Sequence, residues 1–289
     1  MDTTLDLRLP HVRLSALTWG PDDGPLALLL HGFPDTAHTW RHLGPALADD
    51  GWHVVAPFTR GYAPSGLPED HRYDVGALMS DAVAIHHLLG AGPDAVLVGH
   101  DWGALTANAL AAHRDSPFAR VVSMAVPPIA AMRGVSWRAL PGQARRSWYI
   151  GFHQLPLLPE LVTRRLVAHL WRVWSPAYDA RTDVAHVRAS LPDRTHRSAA
   201  IGYYRHLARP VRVPAEYRRW QASLTDAPRT PLLYLHGRDD GCLGLALTEG
   251  VAEVLAPGGG VQVVDAAGHF LQLERPEEVN WSVRAFLGR

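Results

Sequence analysis

Apolar residues recur along the chain in patterns that change from one region to the next. Leu5, Leu7 and Leu9, then Val12 and Leu14, alternate with polar residues on either side of Pro10-His11, which predicts an antiparallel hairpin. Continuous apolar runs follow at Leu26–Leu30, at Val54-Val55-Ala56, at Ala95–Val98 and from Val121-Val122 through Val126. Each is short and stopped by Gly or Pro, the mark of strands covered on both faces. Between them, Leu78, Ala82, Ile85 and Leu89 fall at helical spacing and predict a helix over Asp74–Leu89, with another over Ala104–His113.

From Ile129 to Ala215 the alternation stops, and a stretch rich in Arg, Trp and Tyr without a β-type run reads as a helical insertion. Strands resume at Pro231–Leu235 and, after the turn Pro257–Gly260, at Val261–Val264, and Glu277–Leu287 predicts a closing helix. Strands alternating with helices predict an α/β core with a mostly parallel, doubly covered sheet. The predicted units are a core domain of residues 1–128 and 216–289 and a helical cap of residues 129–215, inserted between the fourth and fifth parallel strands.

Composition narrows the function class. Of 289 residues, 47% are hydrophobic and 19% charged, a globular balance. No apolar stretch approaches a membrane span, and Met1-Asp2-Thr3-Thr4 lacks the basic start of a secretion signal, so a cytoplasmic protein is expected. Cys242 is the only cysteine, which excludes an internal disulfide and a cysteine-rich metal site. The 28 basic residues are all Arg and match 28 acids, which gives nucleic-acid binding no support. The charges are not spread evenly: Arg133–Arg219 holds 16 Arg against 5 acids. A basic lid on an acidic body is the plain reading, and an attraction for anionic substrates the sharper one.

Candidate chemistry gathers where predicted strands end. Gly99-His100-Asp101-Trp102-Gly103, between a buried strand and a helix, has the small-x-nucleophile-x-small pattern of a nucleophile elbow. Its central residue is Asp. Carboxylates are already ionised at neutral pH, with a reference pKa of about 3.9, so this one suits attack at an sp3 carbon to form an alkyl ester. His269, in Gly268-His269-Phe270 after the last strand, is placed to activate water against that ester. An acid should orient the imidazole, and Asp240, with Asp239 as the alternative, follows the strand before it. The backbone N–H groups of Phe33, in His31-Gly32-Phe33-Pro34, and of Trp102 form a candidate oxyanion hole. No metal motif and no phosphate loop is present in the sequence, so neither a metal nor a cofactor is expected.

Together these motifs resemble the α/β-hydrolase-fold epoxide hydrolases, whose close relatives, the haloalkane dehalogenases, share the Asp nucleophile. The resemblance covers nearly the whole chain. It implies two cap tyrosines that hold and protonate an epoxide oxygen. Tyr149 matches the first in Ser147-Trp148-Tyr149-Ile150-Gly151-Phe152-His153-Gln154-Leu155-Pro156, and Tyr204 the second in Gly202-Tyr203-Tyr204-Arg205, with Tyr203 as the neighbouring alternative. Epoxide hydrolases often carry Gln or Asn beside these tyrosines, where this chain has Ile150 and His206. His31, Pro34, Trp148 and Phe270 are the expected substrate-binding residues. A dehalogenase would need a second halide donor, which the Phe33 side chain lacks but Trp148, Trp171 or Trp174 would offer. The resemblance thus implies hydrolysis of a small hydrophobic epoxide to a vicinal diol, without nucleic acid, membrane or cofactor, and with a homodimer as an open option. A dehalogenase and a non-enzymatic binder of the same fold are the rival readings.

Overall fold

The computed structural model describes residues 3–209 and 212–288. The Met1-Asp2 start, residues 210–211 of the predicted cap and residue 289 lie outside the described residues. Alternation at the start of the chain produces the predicted hairpin, β1 (Thr3–Arg8) and β2 (Arg13–Trp19), closed by a hydrogen bond of 2.9 Å from Leu9 N–H to Val12 O. The apolar runs form β3 (Leu26–Leu30), β4 (His53–Pro57), β5 (Val96–His100) and β6 (Arg120–Met124). After the insertion come β7 (Leu232–Gly237) and β8 (Gly260–Val264). All eight join one sheet in the order β1-β2-β4-β3-β5-β6-β7-β8. β2 pairs antiparallel with β1 and β4, and every later pairing is parallel.

Helices cover both faces, so strands such as β3 and β5 are buried at every position. On one side α1 (Leu43–Asp49) packs with α12 (Pro276–Leu287) and α12 with α11 (Leu271–Glu274). On the other, α2 (Val75–Leu88), α3 (Trp102–Ala112) and α9 (Ala215–Gln221) pack together. α1 was not expected from sequence, because Gly44 and Pro45 break its helical pattern. α10 (Val251–Val254) lies between β7 and β8.

Between β6 and α9 the chain forms α4 (Leu140–Arg146), α5 (Trp148–Phe152), α6 (Leu158–Trp174), α7 (Arg181–Ser190) and α8 (Arg194–Ala208), with no strand among its described residues. α6 buries Leu166, Val167, Leu170, Trp171 and Trp174, and α8 buries the run Ala199–Tyr204. Polar contacts tie this layer to the core. Trp171 Nε1 donates to Pro34 O at 2.7 Å, Tyr203 Oη to Arg60 O at 2.8 Å, and Arg146 Nη1 to Asp240 O at 2.6 Å. An Arg41–Asp183 pair at 2.6 Å adds a further link. No helix among the described residues is long and apolar enough to cross a membrane.

Candidate active site

Strand β5 delivers Asp101 at the carboxyl edge of the sheet, in the turn that opens α3. The turn is tight: Asp101 has φ 53° and ψ −112°, a backbone region that L-residues rarely adopt. Glycine is required on both sides. A Cβ at Gly99 would strike the Gly103 carbonyl, and one at Gly103 would strike the Leu30 carbonyl of the next strand. The backbone N–H of Phe33, at the end of β3, donates to Asp101 Oδ1 at 2.7 Å. That approach needs Gly32, whose Cβ would overlap the Asp101 carboxylate. Trp102 is the first residue of α3, where helix N–H groups have no intrahelical acceptor, so its N–H is the candidate second donor at this end.

His269 follows β8 and is completely buried. Its Nε2 lies 3.6 Å from Asp101 Oδ2, beyond hydrogen-bond length, and its Nδ1 lies 2.9 Å from Asp240 Oδ2. Asp240 Oδ1 accepts from Cys242 N–H at 2.6 Å and Leu243 N–H at 2.9 Å, which fixes the carboxylate. Asp239 instead donates its own N–H to Ala267 O, and its side chain points to solvent. The structure therefore brings Asp101, His269 and Asp240 together and leaves Asp239 outside. Burial alone would lower the His269 pKa, but the Asp240 and Asp101 carboxylates outweigh it and raise it to about 10. Burial likewise opposes ionisation of Asp240, and the His269 charge overcomes it to hold the carboxyl below the usual range.

Opposite the carboxylate stand two tyrosines. The rings of Tyr149, on α5, and Tyr204, on α8, meet edge-on at 5.5 Å, and Tyr204 also packs edge-on to Phe33 at 5.3 Å and Trp102 at 5.1 Å. Both are buried, and burial followed by nearby negative charge, including that of Asp101, pushes their pKa values well up, so both hydroxyls keep their protons. Tyr149 Oη contacts Cys242 Sγ at 3.4 Å. The Tyr204 hydroxyl makes no hydrogen bond of ordinary geometry, although the Trp102 side chain draws its pKa slightly back down. Tyr203 is turned to the Arg60 carbonyl, which separates the two neighbouring candidates.

Three expected substrate contacts are corrected. Trp148 is 45% exposed and packs on Phe152 and His169, because it points about 100° around α5 from Tyr149. Phe270 is fully enclosed, stacked on Trp171 at 3.4 Å with its edge to His269 at 5.1 Å, so it supports the imidazole from behind. His31 has both ring nitrogens occupied: Nδ1 donates to Gly32 O at 2.9 Å and Nε2 accepts from Thr59 N–H at 3.0 Å. Burial pushes its pKa down to about 4, so it is a neutral brace for the loop. Pro34 follows Phe33 through a cis peptide bond, and its carbonyl takes the Trp171 indole. Two residues near the chemistry escaped sequence reasoning, Cys242 and His153, although His153 follows Tyr149 by one helical turn. Ligand atoms of Asp240, Cys242 and His269 lie within 4.8 Å of one another, a spacing open to a metal. The Asp240–His269 hydrogen bond occupies two of them, and burial keeps the thiol protonated, which makes it a poor ligand.

Comparison with known proteins places this geometry. The model of the alpha/beta hydrolase fold family matches residues 25–276. Epoxide hydrolase A of Mycobacterium tuberculosis is 33% identical over 96% of this chain and 94% of its own. The crystal structure of epoxide hydrolase A from Mycobacterium thermoresistibile superposes with a TM-score of 0.79 and 28% identity, covering 99% of this chain and 98% of the other. An inhibitor complex of Bacillus megaterium epoxide hydrolase gives a TM-score of 0.79 and 26% identity, covering 99% and 100%. The chain belongs to the α/β hydrolase family, in the group that holds the epoxide hydrolases. It is an enzyme of the hydrolase class.

Proposed function

We propose that this enzyme opens an epoxide to a vicinal diol in two steps, through an alkyl ester on Asp101. The observation that carries the reading is a carboxylate, not a hydroxyl, at the elbow, facing two protonated tyrosines on one side and the His269–Asp240 pair on the other. Asp101 Oδ2, the oxygen not held by Phe33 N–H, attacks an epoxide carbon as the ring C–O bond breaks. The ring oxygen takes a proton from Tyr149 or Tyr204, whose neighbour steadies the developing charge. The resting proton of His269 returns by way of solvent to the tyrosinate, and the freed imidazole removes a proton from water as the resulting hydroxide attacks the ester carbonyl carbon. The Phe33 and Trp102 N–H groups stabilise the tetrahedral oxyanion, and its collapse releases the diol and restores Asp101.

The electrostatics support this order of events. His269 is held protonated by two carboxylates, and esterification removes the charge of one of them. Its pKa then falls from about 10, and the imidazole becomes a base only once there is an ester to hydrolyse.

Dehalogenation is the less favoured reading. Trp148 faces outward and the Trp171 indole is bonded to Pro34, which leaves Trp174, packed on Tyr149 at 5.0 Å and on His269 at 4.9 Å, as the cap indole such a reading would have to use. The deciding experiment mixes the His269→Gln variant with an aryl epoxide and, separately, a bromoalkane, and follows peptide masses. A gain of the whole epoxide mass on the Asp101 peptide is expected. An alkyl adduct without bromine would move the enzyme to the dehalogenases, and no adduct from either would remove the ester mechanism.

A further inference from the structure

His153 is the polar residue at this site that the proposed chemistry leaves without a task. It follows Tyr149 by four positions, so the two side chains share one helical face. Its ring centroid lies 4.7 Å from that of Tyr204 and 5.3 Å from that of Phe33. The side chain is fully buried, yet neither ring nitrogen has a hydrogen-bond partner. The Tyr204 hydroxyl beside it is also unpartnered. By contrast, buried His31 and His236 have both nitrogens engaged, His236 by the Tyr234 hydroxyl at 2.7 Å and Leu243 O at 3.2 Å. Buried polar groups are ordinarily paired, so an enclosed imidazole with two orphan nitrogens calls for a ligand. Phenylalanine would fill the same aromatic cage of Phe33, Tyr149, Phe152 and Tyr204 without leaving a polar atom unpaired.

Burial, reinforced by the positive Arg205, lowers the His153 pKa to about 4, so near pH 7 one ring nitrogen donates and the other accepts. We propose that His153 is a specificity residue that receives a hydroxyl carried by the substrate next to its epoxide ring, so that compact epoxy alcohols are preferred over plain alkyl epoxides. This rests on the epoxide reading above and deepens it. A hydroxyl both donates and accepts and so matches the neutral ring. A carboxylate only accepts, and a methyl group leaves both nitrogens unpaired. Contact between the His153 and Tyr204 rings keeps the hydroxyl site and the epoxide-oxygen site on one small patch.

Glycidol and 1,2-epoxybutane are similar in size and differ in that hydroxyl. The ratio of their kcat/KM values is expected to favour glycidol in the wild type, to fall about tenfold in His153→Phe, and to recover in part in His153→Gln, which keeps a donor and an acceptor. An unchanged ratio in His153→Phe overturns the proposal. Where that variant does not fold, crystals of Asp101→Asn soaked in glycidol give a second reading. The hydroxyl is expected within hydrogen-bond distance of a His153 nitrogen, and a hydroxyl directed elsewhere overturns the subsite. If the wild type opens neither epoxide while the soaked crystals place the hydroxyl on His153, the epoxide reading fails and the subsite stands.

Discussion

Core and cap meet around Asp101, but their polar atoms are held differently. On the core side, Asp101 Oδ1 takes the Phe33 N–H, both Asp240 oxygens are occupied, and His269 Nδ1 is fixed by Asp240. On the side of α4–α8, the Tyr204 hydroxyl and both His153 nitrogens have no hydrogen-bond partner, and the Tyr149 hydroxyl meets the Cys242 thiol. The core is preorganised for a charge that it always handles. On the proposed reading, the helices α4–α8 keep their hydrogen-bonding capacity for the substrate. His269 Nε2, 3.6 Å from Asp101 Oδ2, is unpartnered too, so in such a site rigidity belongs to the groups that orient and unsatisfied polarity to the atoms that meet water or substrate.

The comparison is tested most severely by Asp101→Asn, which should lower kcat by about 10⁴-fold or more, as loss of a covalent nucleophile does. Turnover within tenfold of wild type would place the chemistry elsewhere. Next come the cap hydroxyls. Tyr149→Phe and Tyr204→Phe are each expected to cut kcat/KM for an aryl epoxide by about 10–100-fold, with the double variant lower still, and a silent single variant would mean that its hydroxyl never meets the epoxide oxygen.

Protonation sharpens the core side. His269 keeps its proton to about pH 10 in the folded chain but only to about 6.5 when unfolded, so its contribution to stability is complete below about pH 6.5 and lost as pH rises to 10. The gap in melting temperature between wild type and His269→Gln should therefore narrow from pH 6 to pH 10. A constant gap would mean that the residue acts by packing alone. In single-turnover experiments, hydrolysis of the preformed ester should accelerate as pH rises through neutrality, and a flat profile would deny His269 its role as base. The smallest effects concern the edges of the site. Cys242→Ala should cost about threefold or less in kcat, since a thiol is a weak partner for the Tyr149 hydroxyl. Trp148→Ala should change kcat/KM less than about twofold, as surface substitutions usually do.

Much of this was legible because it is local. The elbow is written in consecutive residues, and the buried strands in short apolar runs. What a sequence leaves open is a matter of single positions, although the preferred Asp240 and Tyr204 are the members that the structure brings to the site. Asp239 and Asp240, Tyr203 and Tyr204, and Trp148 and Tyr149 are adjacent pairs in which one member faces the site and the other does not. Along a helix each step turns the side chain by about 100°, and composition carries no mark of which neighbour faces inward. His153 would have been found by counting one turn on from Tyr149. α1 stayed hidden because its Gly and Pro oppose helix formation, and burial of Leu43 and Leu47 against the core overrides that preference.

The insertion has a consequence for descent. α9 packs on α2 and α3 and leads into β7, so β6, α9 and β7 already form a complete crossover, with α4–α8 accommodated in its first loop. The order and pairing of the strands do not depend on what that loop holds. A lineage can exchange this passenger as a cassette while the elbow and its histidine pass on unchanged, provided that each newcomer again supplies the seats that Trp171 takes on Pro34 and Phe270 and Arg146 on Asp240.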